Sequence, residues 1–195
     1  MIVAKDPAHA ARARLLRQHA MSVPDTVRHH SDRVVFEEYT EPAFNYRLTD
    51  LQAAVGRPQL ARLGEIVAER RRLADRYAAA LKDNPMFAPP VERAGRRSSW
   101  QSYAVSLRPG AKLTQVEAMQ ALVDRGIACR RGIHNAHQEP AYAGRDNWTR
   151  APGETLAVSE RIRDTRILIP LFHGMSVEEQ DLVIETLNAV AALAK

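Results

Sequence analysis

Cysteine is almost absent from this 195-residue chain. Cys129 stands alone, which excludes an intrachain disulfide and fits a reducing compartment. Lysine is nearly as scarce, confined to Lys5, Lys82, Lys112 and Lys195, so the formal charge of +5 is owed to arginine. Aromatic residues make up 6%, and a core must lean on Ala, Leu, Val and Ile. No apolar run approaches the roughly 20 residues needed to span a bilayer, and the N-terminus lacks the basic start and apolar stretch of a secretory signal. The expectation is a soluble cytoplasmic chain with no membrane partner. Its positive groups are spread along the sequence and interleaved with Asp and Glu, as on solvated helix faces. That pattern does not favour nucleic acid as a partner. At 45% hydrophobic, the chain suffices for one substantial domain, or a small domain with part of another.

Punctuation along the chain is readable. Met1 to Ala4 reads as a short strand. Asp6-Pro7 then opens a helix to about His19, with Asp as N-cap and Pro at the first helical position. Residues 21–41 form a long polar connection. From Thr49, apolar residues recur at helical spacing through Leu51, Val55, Leu60, Leu63, Leu73, Tyr77 and Leu81. Gly56 and Pro58 predict a break or kink, and Asp83-Asn84-Pro85 a stop. Residues 86–97 read as a connection and 100–107 as a strand. Thr114 and Glu117 cap a helix that Arg125-Gly126 closes, and Ile127 to Cys129 begins a strand. A His-, Gly-, Asn- and Arg-rich loop covers 132–153. A helix over 154–164, a strand at 167–169 and a last helix capped by Ser176 and Glu179 follow. This order of strands and helices predicts a small α/β sandwich.

The most informative stretch is Phe44-Asn45-Tyr46-Arg47-Leu48-Thr49-Asp50-Leu51-Gln52. Thr49 and Gln52 have the spacing of a capping box. A helix start carries partial positive charge and unpaired N–H groups. Asn45 and Arg47 beside it make a grip suited to an anion, phosphate above all. The plain alternative is that Asn45 is a turn residue and Arg47 a surface charge.

This string resembles the signature of the DegT/StrS family of pyridoxal-phosphate (PLP) dependent sugar aminotransferases. Three further blocks match in order. They are the opening with Ala11-Arg12-Ala13-Arg14-Leu15-Leu16-Arg17, then Arg130 to Ile133 with His137-Gln138-Glu139-Pro140-Ala141-Tyr142, and finally Ser159-Glu160-Arg161 with residues 167–180. The resemblance implies the C-terminal portion of a fold-type-I PLP-dependent transferase. Residues 1–48 would be a remnant of the large PLP-binding domain, 49–85 a long connecting helix, and 86–195 the small C-terminal α/β domain.

The resemblance also implies that Asn45, with Arg47, binds the cofactor phosphate of a neighbouring subunit across a dimer interface. It places the loop with His137 and Tyr142 near a nucleotide-sugar substrate. Arg130 and Arg131 would meet an anionic part of that substrate, or only solvent; a polar surface loop is the plain reading of the whole segment. His134 and His137 lack the third ligand that a metal site requires. The family's lysine that anchors PLP should precede the Asn45 motif, and no lysine here has the desolvated setting of such a group. No catalytic residue is therefore assigned. The expected function is the C-terminal part of a PLP-dependent aminotransferase acting on a nucleotide-linked keto-sugar, with glutamate as amino donor. It would be inactive without its N-terminal half and would pair with that half or with a second copy. The alternative is a non-catalytic dimerisation or interaction remnant.

Overall fold

The computed structural model describes residues 2–142 and 155–193, and the chain divides into two compact units, Met1–Ala61 and Arg62–Lys195. The segment 49–85 is thereby shared between both units.

In the first unit, α1 spans Pro7–Leu16, α2 Asp25–His29 and α3 Asp50–Ala61. Asp6 caps α1 by accepting from the Ala8 N–H at 2.8 Å, and Pro7 occupies the first turn. The helix ends three residues earlier than the sequence predicts, because His19 and Ala20 take left-handed backbone conformations and turn the chain back. Residues 2–4 are not a strand, since nothing among the described residues pairs with them and a lone strand has no ladder to join. Among the described residues of this unit, only Ala20 and Met21 are buried apolar residues. The predicted apolar stripe on α3 faces solvent, with Leu51 82% and Val55 71% exposed.

The second unit holds α4 (Leu63–Leu81), β1 (Phe87–Ala88), β2 (Tyr103–Leu107), α5 (Gln115–Val123), β3 (Arg130–Arg131), α6 (Ala157–Thr165), β4 (Arg166–Ile169) and α7 (Val177–Leu193). The one long helix expected from Thr49 is thus two. Pro58 is accommodated within α3 and the interruption comes at Arg62. Of the strands, β1 falls in a stretch read as a connection, and β3 begins just after the predicted Ile127 to Cys129. The sheet is antiparallel throughout, in the order β1-β2-β4-β3.

Period-2 alternation sends Tyr103, Val105, Ile167 and Ile169 to one face. They join Leu73, Tyr77 and Leu81 of α4, Leu122 of α5, and Leu187 and Val190 of α7 in a single core. Polar groups inside this core are satisfied across elements. The buried Gln180 donates Nε2 to the Leu73 carbonyl at 2.7 Å and accepts from Arg76. Buried Asn84 accepts from the N–H groups of Met86 and Phe87 and donates to Asn188 at 2.9 Å. Arg108 donates to the carbonyls of Lys82 and Asn84, closing the C-terminal end of α4. The Thr114–Glu117 and Ser176–Glu179 boxes form as predicted. Gly126, at φ 79°, ends α5 in the left-handed conformation that glycine adopts freely. Among the described residues, no helix is long and apolar enough to cross a membrane.

Candidate functional site

The Asn45 segment is built on α1. The backbone of residues 44–46 runs beside the turn that follows this helix. Phe44 N–H donates to the Leu16 carbonyl at 3.0 Å, His19 N–H to the Phe44 carbonyl at 2.9 Å, and Tyr46 N–H to the Arg17 carbonyl at 2.7 Å. Arg12 on α1 pairs with Glu41, through Nη2 to Oε2 at 2.6 Å, and this hydrogen bond holds the Glu41 carboxyl below its ordinary range. Phe44 and Tyr46 stack with ring centroids 5.0 Å apart.

On this support, Asn45 and Arg47 are both exposed and brought together, Arg47 Nε donating to Asn45 Oδ1 at 3.1 Å. Two residues on, the capping box of α3 is formed. Thr49 N–H donates to Gln52 Oε1 at 3.0 Å, and Gln52 N–H to Thr49 Oγ1 at 3.2 Å. With Oδ1 of Asn45 accepting from Arg47, an amide and a guanidinium stand together at an exposed position, donor types that suit the phosphate end of PLP. The covalent end does not fit, because Lys5, Lys82 and Lys112 are all exposed, whereas an anchoring lysine is desolvated. Lys195 lies outside the described residues.

The second candidate region, in the other unit, starts on β3. Its two arginines separate across the strand. Arg131 Nε donates to Gln115 Oε1 of α5 at 3.3 Å, while Arg130 is exposed on the opposite face. Glycine is required where the loop leaves the strand. Gly132 N–H donates to the Arg166 carbonyl at 2.8 Å, and a Cβ on residue 132 would stand 2.7 Å from Arg166 Cβ.

From there the loop is fastened to α6 at two points. Buried Asn135 accepts from Ser159 Oγ and donates to Gln138 Oε1, both at 2.8 Å. His137 Nε2 lies 3.0 Å from Glu160 Oε1, with its side chain only 12% exposed. His137 is therefore held against α6, and Tyr142, in a single turn of 3₁₀ helix over Pro140–Tyr142, is exposed. His134 stands 3.5 Å from Glu139. The rest of the predicted loop, 143–153, lies outside the described residues, as does residue 154 of the predicted helix. Sequence reading gave no role to Ser159 and Glu160; the signal was a polar pair in the first turn of a helix. His173 sits between Arg62, at 3.2 Å, and Glu69. Among the described residues, no three His, Cys, Asp or Glu side chains gather as a metal-binding group.

The model of the DegT/DnrJ/EryC1/StrS aminotransferase family matches residues 1–188. GDP-perosamine synthase of Caulobacter vibrioides is 31% identical over 192 residues, which are 97% of this chain and 47% of that protein. The aminotransferase TlmJ from Streptoalloteichus hindustanus superposes with a TM-score of 0.75 at 26% identity, over 97% of this chain and 46% of the other. Spr1654 from Streptococcus pneumoniae, solved in its PLP form, shares the fold with a TM-score of 0.76 at 20% identity, over 98% and 45% of the two chains. The chain thus spans about half the length of the relatives it matches. Its mixed helix-and-sheet architecture is that of part of a PLP-dependent sugar aminotransferase. The chain belongs to the DegT/DnrJ/EryC1/StrS aminotransferase family.

Proposed function

We propose that this chain is the C-terminal part of a PLP-dependent aminotransferase that converts a nucleotide-linked keto-sugar to an amino sugar, with glutamate as donor. The observation that carries this reading is the Asn45–Arg47 pair beside the capped start of α3. Asn45 donates to the cofactor phosphate of a neighbouring subunit, and Arg47 both fixes the Asn45 amide and adds positive charge. PLP, when bound, supplies the electron sink that amino-group transfer needs. The lysine that anchors it comes from the N-terminal half of the family's architecture, so the chain by itself is inactive. Tyr142 and Arg130 face the substrate, while His137 holds its loop to α6. Residues 1–48 then belong with the large domain, 49–85 connect, and 86–195 form the small domain.

Two results test this reading. Borohydride reduction of the isolated chain with PLP, followed by peptide mapping, should find no single stoichiometrically labelled lysine. Expression of the coding region continued upstream should yield a PLP-retaining protein with glutamate-dependent amination of a keto-sugar nucleotide. One labelled lysine in the isolated chain would overturn the assignment of the anchor to the other half. A second reading, a non-catalytic dimerisation or interaction remnant, draws on the uncovered apolar residues of α3. It predicts assembly without cofactor retention in any longer product.

A further inference from the structure

The first turn of α4 is weakly held by its own sequence. Arg62, at the N-cap, makes no side-chain capping hydrogen bond, in contrast to the capped starts of α1 and α5. Leu63 is 50% exposed and Gly64 follows it, so the turn has little packing and a poor helix former. Its fastening comes from far along the chain. The turn after β4 brings His173 onto it, and the imidazole has a charged group on each side.

His173 Nε2 lies 3.2 Å from Arg62 Nη2, and Glu69 Oε2 stands against Nδ1, which is closed off from solvent. A guanidinium keeps its charge and only donates, so Nε2 has to be the accepting nitrogen. A carboxylate only accepts, so the proton belongs on Nδ1. The two neighbours thus select the neutral Nδ1–H tautomer of His173. Glu69 is also fixed independently of the ring, its Oε1 accepting from the Gly174 N–H at 2.9 Å. Arg62 stands 3.9 Å from Glu65 as well, an exposed pair that adds little. Other charges on α4 and α7 face other partners: Arg76 pairs with Asp181, while Glu178 and Glu179 accept from Ser176.

We propose that His173 is a proton-operated latch on the start of α4. Neutral, it accepts from Arg62 and keeps the first turn closed. Protonated, it carries an N–H on Nε2 as well. Two cationic donors then face each other, and the Arg62 contact is lost while the attraction to Glu69 grows. Imidazole is the side chain whose charge changes between about pH 5 and 8. Over that interval the first turn frays and the core beneath it stays intact. The second unit begins at Arg62, so the latch sets how firmly its first helical turn is held.

The test uses the 195-residue chain labelled with ¹⁵N. Long-range ¹H–¹⁵N spectra of the imidazoles at pH 8, with His173 assigned by its absence from His173→Phe, should show Nδ1 protonated and Nε2 bare. Amide exchange, expressed as protection to remove the intrinsic effect of pH, reads the turn at Ile66, whose N–H donates to the Arg62 carbonyl at 3.1 Å. Its protection should fall about threefold to tenfold between pH 8 and pH 5, the range of one hydrogen bond, with the midpoint of the His173 titration. Protection at Tyr77, further along α4, should not change. His173→Phe should hold Ile66 at the low level at both pH values. Arg62→Ala should do the same and raise the pH at which His173 titrates, whereas Glu69→Gln should lower it. Unchanged amide dispersion would show that each variant is folded. A neutral Nε2–H tautomer, Ile66 protection that does not follow His173, or midpoints unmoved by either neighbour would overturn the proposal. The measurement contains no PLP, so the cofactor reading stands or falls by its own test.

Discussion

Arg47 Nε donates to Asn45 Oδ1 at 3.1 Å, so the two polar residues ahead of α3 act as one unit. The bond orients the Asn45 amide from its oxygen side and holds the guanidinium beside it. In a complete enzyme containing this segment, Asn45→Ala should weaken PLP retention by about tenfold to a hundredfold, corresponding to about 1.5–3 kcal/mol for one hydrogen bond to a charged group. Asn45→Asp should be worse, because a carboxylate would face the phosphate. Cofactor titration of the two variants checks the order, and equal affinity for wild type and Asn45→Ala would remove Asn45 from the cofactor site.

Two tyrosines in the core differ in a way that stability measurements can read. Tyr77 donates its hydroxyl to the Pro170 carbonyl at 2.8 Å, whereas the buried Tyr103 hydroxyl has no hydrogen-bond partner among the described residues. Their rings lie 5.1 Å apart, and burial raises both phenols well above their ordinary range. Tyr77→Phe should cost about 1 kcal/mol or somewhat more, since a buried carbonyl loses its donor. Tyr103→Phe should be neutral or stabilising, because it removes an unsatisfied polar group. Urea denaturation of the two single variants would decide, and a larger loss for Tyr103→Phe would contradict this assignment of partners.

The features legible in sequence are those whose partners lie within one helical turn. Thr49 with Gln52, Thr114 with Glu117 and Ser176 with Glu179 each form the box their spacing predicts. Asn45 and Arg47, two residues apart, are likewise joined by a local bond. What escaped depends on chain brought from far away. Phe87 and Ala88 become a strand only because Leu107 and Ser106 stand opposite them. His137 is held by Glu160, 23 residues on, and no local pattern announces that pairing. The α3 stripe was read correctly as apolar, but periodicity alone does not say what covers a face, and no described residue buries Leu51 or Val55.

The capping box of α5 has a pH signature. Glu117 accepts from the Thr114 N–H at 2.8 Å, and this bond, with a second from the Thr114 hydroxyl, holds its carboxyl below the ordinary value. Because the folded-state pKa is lower than the unfolded one, the contribution is fully present above about pH 4.5, the unshifted value, and is lost as the pH falls through the folded value. Glu41 and Glu92 are shifted the same way, by Arg12 and by the Ser98 N–H with Arg71. Stability should therefore decline on the acid limb, and Glu117→Gln should decline less between pH 7 and pH 3 than wild type. Parallel urea midpoints for both proteins across that range would show that the box does not contribute to acid sensitivity.

The two units should differ in persistence. The core assembled from α4, α5, α7 and the sheet contains large side chains with no exposure, such as Tyr77, Phe87, Leu122 and Leu187. Among its described residues the first unit buries only Ala20 and Met21 as apolar side chains, and α1 is a ten-residue helix with no buried residue, a length that is marginal in water without tertiary support. Amide hydrogen exchange should be fast through Thr40 and slow in α4, α5, α7, β2 and β4. Exposed Leu51, Val55 and Leu60 on α3 would meanwhile drive concentration-dependent self-association. Leu51→Lys combined with Val55→Lys, at positions that contribute nothing to either unit's interior, should abolish that association without changing the slow amides. Sedimentation velocity over a range of concentrations reads the first effect and exchange mass spectrometry the second. A monomer protected evenly from Ile2 onward would show that the first unit is stable by itself, and the need for a covering partner would disappear with it.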